Sequence, residues 1–246
     1  MKTLYFYKDR GIPMGIGIKP AFDEDKPVYD SLNRKLSIQS DLCWHERRDM
    51  QNVIAKADFW GGFPFDDCQL VAAEIYLEIF MQRIDFLYLT NEGKVQVCEL
   101  KLGGKEKDTV GQLFRYIEEL SYHNIDLNWI KSKAAKYRAV SVDSFKFKFD
   151  RHCKKLITYI HENDITSIEL DECTAAIIDE DPDHRALLGA QGANRMGKDI
   201  HVYSMEMLSS DNWALSDDVQ YLKLNIRHVD INKALISVMH AKKGAE

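Results

Sequence analysis

Hydrophobic and polar residues recur with two different periods along this chain, and the change of period predicts its elements. Residues 83–90 and 94–102 are apolar runs on either side of an Asn-Glu-Gly turn, so they predict a β-hairpin. The preceding run, residues 69–80, fits a strand or a helix, and its neighbours favour a strand. After the hairpin, apolar residues recur every three or four positions and predict a helix from Asp108 or Thr109 to about residue 122.

Extended and helical segments continue over the rest of the chain. A helical period also fills residues 41–57, ahead of the hairpin. The other predicted strands are residues 3–7, 14–18, 35–39, 145–149, 174–178, 200–207 and 221–226. The other predicted helices are residues 129–137, 153–162, 186–198 and 231–241. This order predicts an α/β fold.

No internal repeat or flexible linker divides the 246 residues. We therefore expect a β-rich N-terminal segment over residues 1–40, followed by one α/β domain over residues 41–246. The C-terminal part of that domain is an extension whose role the sequence leaves open. The absence of an apolar run of about 18 residues predicts no membrane span, and early charged residues predict no signal peptide. A cytoplasmic location is the default expectation.

One acidic residue, Asp85, interrupts the apolar run of residues 84–89. Burying an unpaired carboxylate there costs several kcal/mol, so a compensating group is required, and a cation is the simplest one. The hairpin brings Asp85 beside the strand that carries Glu99, and the period of two places Lys101 on the face of Glu99. Two carboxylates suit Mg²⁺, whereas a lysine can orient or deprotonate a water or neutralise charge at phosphorus.

The predicted helix after the hairpin adds polar groups to this set. Gln112 and Tyr116 lie four residues apart on one helical face, with Arg115 beside them. The amide and the phenol could fix a water, the lysine or a phosphate, and Arg115 could grip a phosphate or hold a carboxylate. Together with the acids and the lysine, these groups suit hydrolysis of a phosphodiester.

The segments RID, ELK and QLFRY, which contain Asp85, Glu99 with Lys101, and Gln112 with Tyr116, resemble the core of the PD-(D/E)xK nuclease superfamily. The resemblance is greatest to the branch with a QxxxY signature, which includes RecB-type nucleases and NucS-like endonucleases. It covers residues 41–122, and Ile84 replaces the proline that names the superfamily. The resemblance implies a restriction-endonuclease-like core, in which helices flank a mixed central sheet.

The resemblance also implies a role for each residue. Asp85 and Glu99 would be metal ligands, Lys101 the catalytic lysine, and Gln112 with Tyr116 the supporting pair. Glu46, in a segment similar to the family's preceding helix, would be a further ligand or a group that positions water. The implied activity is that of a Mg²⁺- or Mn²⁺-dependent deoxyribonuclease.

A net charge of -6 gives no general attraction to nucleic acid, so DNA binding would need a local basic patch. The candidates are Arg115 and the lysines of residues 131–138, namely Lys131, Lys133 and Lys136. Two active sites acting on one duplex would favour a two-fold homodimer. Two alternatives remain. One is a catalytically inactive module of the same fold that binds nucleic acid or protein. In the other, the carboxylates belong to an unrelated hydrolase or to a structural ion-pair network in which Lys101 bridges the acids.

Other polar groups have simpler interpretations. His152, Cys153 and His161 lack the paired short spacings of a metal site, so a helix surface with one buried thiol is expected. The acidic run of residues 179–184 lacks the pattern of a calcium loop and predicts a solvated turn. The five cysteines include no CxxC pair, which predicts reduced thiols.

Overall fold

The computed structural model describes residues 2–7, 19–21, 36–37, 54, 65, 67–101, 108–137, 149–210 and 221–243. Its strands are β1 (Lys2–Tyr7), β2 (Lys19–Ala21), β3 (Leu36–Ser37), β4 (Cys68–Leu77), β5 (Gln82–Thr90), β6 (Lys94–Lys101), β7 (Glu169–Asp179), β8 (Asp199–Ser210) and β9 (Tyr221–His228). Its helices are α1 (Thr109–Tyr122), α2 (Leu127–Lys136), α3 (Phe149–Glu162), α4 (His184–Arg195) and α5 (Ile231–Lys243). Within these ranges no helix is both long and apolar enough to cross a membrane.

The described strands form one mixed sheet. Its order is β2-β1-β9-β8-β7-β6-β5-β4, with β3 paired to β8. Strands β4, β5 and β6 are antiparallel neighbours, whereas β6, β7 and β8 run parallel. Each parallel step has a helical connection, as parallel strands require: α1 to α3 lie between β6 and β7, and α4 lies between β7 and β8. The expected α/β fold with a mixed sheet and flanking helices is confirmed.

Most of the predicted elements within the described ranges are present. The ambiguous run of residues 69–80 belongs mainly to strand β4, and the hairpin and the helix after it are confirmed. The predicted strand over residues 145–149 is wrong at Phe149, which begins α3, and residues 145–148 lie outside the described residues. The helix that begins at Phe149 follows a long amphipathic period, and this longer pattern outweighs the short aromatic alternation before it. The predicted elements at residues 14–18 and 41–57, except Ile54, also lie outside the described residues.

Two hydrophobic clusters cover the two faces of the sheet. On one face, Val95 and Val97 of β6 pack in a cluster with Leu113 of α1. On the other face, Cys98 and Leu100 belong to a separate cluster. The alternation predicted for β6 is therefore confirmed, and it places the odd-numbered residues under α1.

The turn between β5 and β6 depends on one glycine. Gly93 has a φ of +80°, a conformation that favours glycine, and a Cβ there would lie 2.8 Å from the Ser167 carbonyl oxygen. The Thr90 hydroxyl oxygen accepts the Lys94 N–H at 3.0 Å on the other side of the turn. These contacts fix the register with which β6 returns along β5.

Glu119 joins α1 to the turn between β4 and β5. Its carboxylate is 1% exposed and accepts the backbone N–H groups of Ile79 and Phe80, each at 3.0 Å. Burial opposes ionisation of Glu119, but the hydrogen bonds from this turn outweigh burial and lower its pKa below the ordinary value of 4.5. The charged carboxylate therefore anchors the helix on the hairpin.

Replacing Glu119 by glutamine should lower the free energy of unfolding by about 1.5–3 kcal/mol near neutral pH, the usual contribution of hydrogen bonds to a charged group. Because the folded pKa is lowered, this stabilisation is complete above the ordinary pKa and is lost as the pH falls through the folded pKa. Urea unfolding of the native chain and Glu119→Gln at about pH 7 and about pH 3 measures the effect. A stability difference that does not shrink at the lower pH contradicts the assignment.

Candidate active site

Asp85 lies where strands β5 and β6 separate. The last registered pair between these strands at this end is Phe86 with Cys98. Beyond it, the Asp85 carboxylate oxygen Oδ2 accepts the backbone N–H of Leu100 at 2.8 Å. At this end of the two strands the Asp85 side chain, and not the backbone, forms the hydrogen bond to β6. This bond holds the carboxylate beside the β6 segment that carries Glu99 and Lys101.

Glu99 and Lys101 form a buried ion pair at the end of β6. The Lys101 Nζ lies 2.6 Å from the Glu99 Oε1, and the two residues are 4% and 3% exposed, respectively. The predicted common face is confirmed by this contact. Ions at this depth require close pairing, because desolvation costs each of them several kcal/mol.

The two predicted metal ligands lie near the same thiol. Burial raises the pKa of the Cys98 thiol, and the negative charges of Asp85 and then Glu99 raise this pKa further. Both carboxylates therefore act electrostatically on one residue of β6. Asp85 is connected to the segment of Glu99 and Lys101 through its bond to the Leu100 amide.

Gln112 and Tyr116 connect α1 to strand β5. The Tyr116 hydroxyl donates a 2.7 Å hydrogen bond to the Arg83 carbonyl oxygen, two residues before Asp85. The Gln112 Nε2 donates a long hydrogen bond of 3.5 Å to the Tyr116 hydroxyl oxygen. The Gln112 Oε1 is buried and has no hydrogen-bond partner among the described residues. The pair therefore acts first as a clamp on β5, and it presents one buried acceptor.

The basic residues predicted to bind nucleic acid differ in the contacts that they make within the protein. Arg115 donates from Nε to the Gln82 side chain at 3.2 Å and pairs with Asp108 at 3.0 Å. It thus holds a carboxylate, one of the two roles expected for it. The three lysines Lys131, Lys133 and Lys136 lie on α2.

Lys133 and Lys136 are electrostatic neighbours on α2. Burial, together with the charge of Lys136, lowers the pKa of Lys133. The Lys133 Nζ lies 4.8 Å from the centroid of the Trp129 ring, a cation–π distance. A lysine doublet with an aromatic partner is therefore available on this helix.

A buried acid next to Lys101 was missed by the sequence analysis. Asp179 ends β7, is 2% exposed and pairs in register with Lys101 of β6. Registered residues on parallel neighbours share a face, so Asp179 joins Glu99 and Lys101 under α1. The predicted solvated turn is wrong at this residue, because the strand continues through Asp179 before the chain leaves the sheet. A usable signal was its place at the carboxyl end of a buried parallel strand, beside the end of β6.

Glu74 is a second acid that the sequence analysis missed. It lies on β4 opposite Asp85, and its φ of 55° is in the left-handed region. A non-glycine residue in this region costs about 1–3 kcal/mol, and such strain concentrates at functional sites. The Glu74 Oε2 accepts a 3.3 Å hydrogen bond from Arg83. The signal was an acid inside the apolar run of β4, the same signal that identified Asp85.

Asp85 and Glu99 supply the hard oxygen ligands that Mg²⁺ or Mn²⁺ takes. Each carboxylate oxygen has two lone pairs, so it can coordinate a cation while it accepts a hydrogen bond. Among the described residues, no three or more His, Cys, Asp or Glu side chains are grouped closely enough to hold a metal ion. Glu46, the third predicted ligand, lies outside the described residues. The donor chemistry of the two carboxylates fits a hydrated Mg²⁺.

The histidines and the thiol of α3 differ from expectation. His152 is buried, and its Nε2 lies 2.9 Å from the Val71 carbonyl oxygen, so the predicted surface position is wrong for this residue. Cys153 is half-buried, whereas His161 is exposed as expected. His152 lies on the side of α3 that packs against β4. The spacing of residues in the sequence does not predict which side of the helix that is. The four described cysteines have free thiols, as predicted: Cys68, Cys98, Cys153 and Cys173.

Comparisons of the chain with protein-family models, with curated proteins and with solved structures find no match. The functional inference therefore rests on the site. The segments that resemble the nuclease motif lie together, since Asp85 contacts β6, Glu99 contacts Lys101, and Tyr116 contacts β5.

Removing one partner of the Glu99–Lys101 pair should cost about 3–5 kcal/mol, because a buried charge loses its 2.6 Å ion-pair contact. Lys101→Met and Glu99→Gln should each show this loss in urea unfolding, and the double variant should lose less than the sum. Lys94→Met is the matched control on the same strand, because Lys94 pairs with exposed Glu92 and Glu172 and should cost below about 1 kcal/mol. Equal losses for Lys101→Met and Lys94→Met would contradict the buried pair.

Proposed function

We propose that this chain hydrolyses phosphodiester bonds of DNA with Mg²⁺ or Mn²⁺, as an endonuclease or exonuclease in repair, restriction or phage defence. The observation that carries the proposal is the buried Glu99–Lys101 pair, with Asp85 bound to the amide of the residue between them. Apolar residues of similar volume often replace a buried ion pair without loss of stability. The presence of this buried pair at a strand end therefore favours a functional role.

In this proposal Asp85 and Glu99 would hold the metal ion. When bound, the ion would polarise a phosphoryl oxygen and lower the pKa of a bound water. The Leu100 N–H fixes the direction of the Asp85 carboxylate, and the Lys101 ammonium fixes that of Glu99. Neither acid has to reorganise when substrate binds, which is the condition for electrostatic preorganisation.

Lys101 acts on the scissile phosphate in this arrangement. Its ammonium group lies 2.6 Å from Glu99 and is thereby held beside a metal ligand. From there it neutralises charge on the phosphoryl oxygens or orients the attacking water. Asp179 is a positioning residue, because it is in register with Lys101 and places a second carboxylate on the same face.

Gln112 and Tyr116 serve this site as positioning residues. The Tyr116 hydroxyl holds the Arg83 carbonyl, and thus the start of the segment that carries Asp85. The buried Gln112 Oε1 accepts a hydrogen bond from a water in the site. An error of about 1 Å in such a site costs about 100-fold in rate, so the clamp contributes through geometry.

Asp85→Asn is the sharpest test of catalysis. The amide oxygen can still accept the Leu100 N–H, so the fold is kept while the negative charge is removed. We expect Mg²⁺- or Mn²⁺-dependent cleavage by the native chain and a loss of about 100-fold or more in the variant. The assay uses the purified full chain on single-stranded, duplex, flap and mismatched DNA.

Glu118→Gln is the matched control, because Glu118 is an exposed carboxylate on α1. It should cleave at the native rate. Cleavage that survives in Asp85→Asn, or a native chain that cleaves none of these DNAs with either metal, would overturn the proposal.

A second candidate is a catalytically inactive module of the same fold that binds nucleic acid or a protein. The direct 2.6 Å contact between Lys101 and Glu99 favours it, because the lysine already neutralises the carboxylate without a metal ion. This candidate predicts DNA or partner binding that is independent of metal, with no turnover. Binding by the native chain without cleavage would select it.

Under either candidate, Lys133 and Lys136 should contact DNA phosphates. The double variant Lys133→Gln/Lys136→Gln should lower the slope of log K against log salt by about 2, since each phosphate contact contributes about 0.9 for duplex DNA. Fluorescence anisotropy in the Asp85→Asn background, without metal, measures this slope. Lys198→Gln, at an exposed lysine before β8, is the control. An unchanged slope in the double variant would remove α2 from the interface.

A further inference from the structure

Two histidines meet at one end of strands β8 and β9, at a site distinct from the Asp85–Glu99 carboxylates. The His201 Nδ1 on β8 lies 3.3 Å from the His228 Nε2 on β9. The two rings are 5.5 Å apart between centroids. The Tyr203 ring packs edge-on against His228 at 5.2 Å and restricts the orientation of that ring.

A carboxylate lies beside the other ring nitrogen of His201. The Asp199 Oδ1 lies 3.0 Å from the His201 Nε2, on the far side of the ring from His228. If His201 Nε2–H donates to this carboxylate, the Nδ1 of the neutral ring presents a lone pair toward His228. Metal-binding histidines are commonly oriented in this way: one ring nitrogen donates to a carboxylate, and the unprotonated nitrogen binds the metal.

The separation of the facing nitrogens fits a shared metal ion. Two imidazole nitrogens bound to one tetrahedral Zn²⁺, each at 2.0–2.1 Å, lie about 3.3 Å apart. The 3.3 Å between the His201 Nδ1 and the His228 Nε2 matches this separation.

The histidine pair borders a cavity of about 530 Å³ between the ends of α4, β8 and β9 and the start of α5. Arg195 and Gln191 of α4 line it together with the two histidines. Asp230 also lines the cavity, but its carboxylate accepts the Lys233 N–H at 3.1 Å and pairs with the Lys233 ammonium at 3.2 Å. The open side of the pair therefore faces a space large enough for water or a small ligand.

We propose that His201 and His228 bind a divalent transition-metal ion of the Zn²⁺ class, with Asp199 orienting His201 and the remaining coordination positions open to the cavity. Nitrogen ligands suit Zn²⁺, whereas Mg²⁺ prefers the oxygens of the Asp85–Glu99 site. The two sites thus differ in ligand chemistry, and the histidine site does not depend on the proposed nuclease activity.

Isothermal titration of the tag-free full chain with ZnCl₂, in the presence of millimolar Mg²⁺, tests the proposal. We expect one equivalent of Zn²⁺ to bind through this site and to raise the thermal midpoint. His201→Ala and His228→Ala should each abolish that equivalent. Asp199→Asn should weaken it by about 10- to 100-fold, the usual effect of removing the carboxylate behind a metal-bound histidine.

A control variant separates this site from other Zn²⁺ binding. His161→Ala, at an exposed histidine of α3, should bind Zn²⁺ as the native chain does. If the two rings are joined only by an imidazole–imidazole hydrogen bond, the native chain will take up no Zn²⁺, and this result would contradict the proposal. Zn²⁺ binding that is equal in His228→Ala, His161→Ala and the native chain would also overturn the proposal. Thermal midpoints measured without Zn²⁺ establish that each variant is folded.

Discussion

The ion pair between Glu99 and Lys101 is the constraint around which this end of the sheet is arranged. Two nearly fully buried charges 2.6 Å apart tolerate little displacement, because losing this contact is costly in a medium that solvates ions poorly. The alternation of β6 therefore has to place residues 99 and 101 on the α1 face, and the apolar residues Val95 and Val97 fix that face. A slip of one residue would turn both charges into the opposite hydrophobic cluster.

Hydrophobic periodicity was sufficient to predict the hairpin, the helix after it and the common face of Glu99 and Lys101, because each of these depends on local pattern. Asp179 and Glu74 required information that local pattern does not contain. Asp179 is buried because β7 lies parallel to β6 with residue 179 beside residue 101, a pairing between segments far apart in the chain. Glu74 is opposite Asp85 because of the β4–β5 register. His152 was misjudged for the same reason, since its burial depends on where α3 packs.

The structure also changes what the Gln112 and Tyr116 pair does. The sequence placed both side chains near a water, the lysine or a phosphate, but the Tyr116 hydroxyl is bound to the Arg83 carbonyl oxygen. Helical spacing could establish that the two side chains share a face, whereas the bond to β5 depends on tertiary packing. The motif therefore couples the helix to the strand of Asp85, and the Gln112 carbonyl oxygen, which has no hydrogen-bond partner among the described residues, remains for a ligand or water.

Helix α1 controls the position of Asp85 through contacts at several places on the β4–β5 hairpin. Glu119 binds the turn, Arg115 binds Gln82 at the start of β5, and Tyr116 binds the Arg83 carbonyl. Three successive anchors, from the turn to a point two residues before Asp85, determine both the height and the rotation of the strand relative to the helix. Because Asp85 is then bound to the Leu100 amide, the same anchors extend to the segment that carries Glu99 and Lys101. Stability of the hairpin and geometry of the site are thus carried by the same side chains, so a substitution in the clamp should change both together.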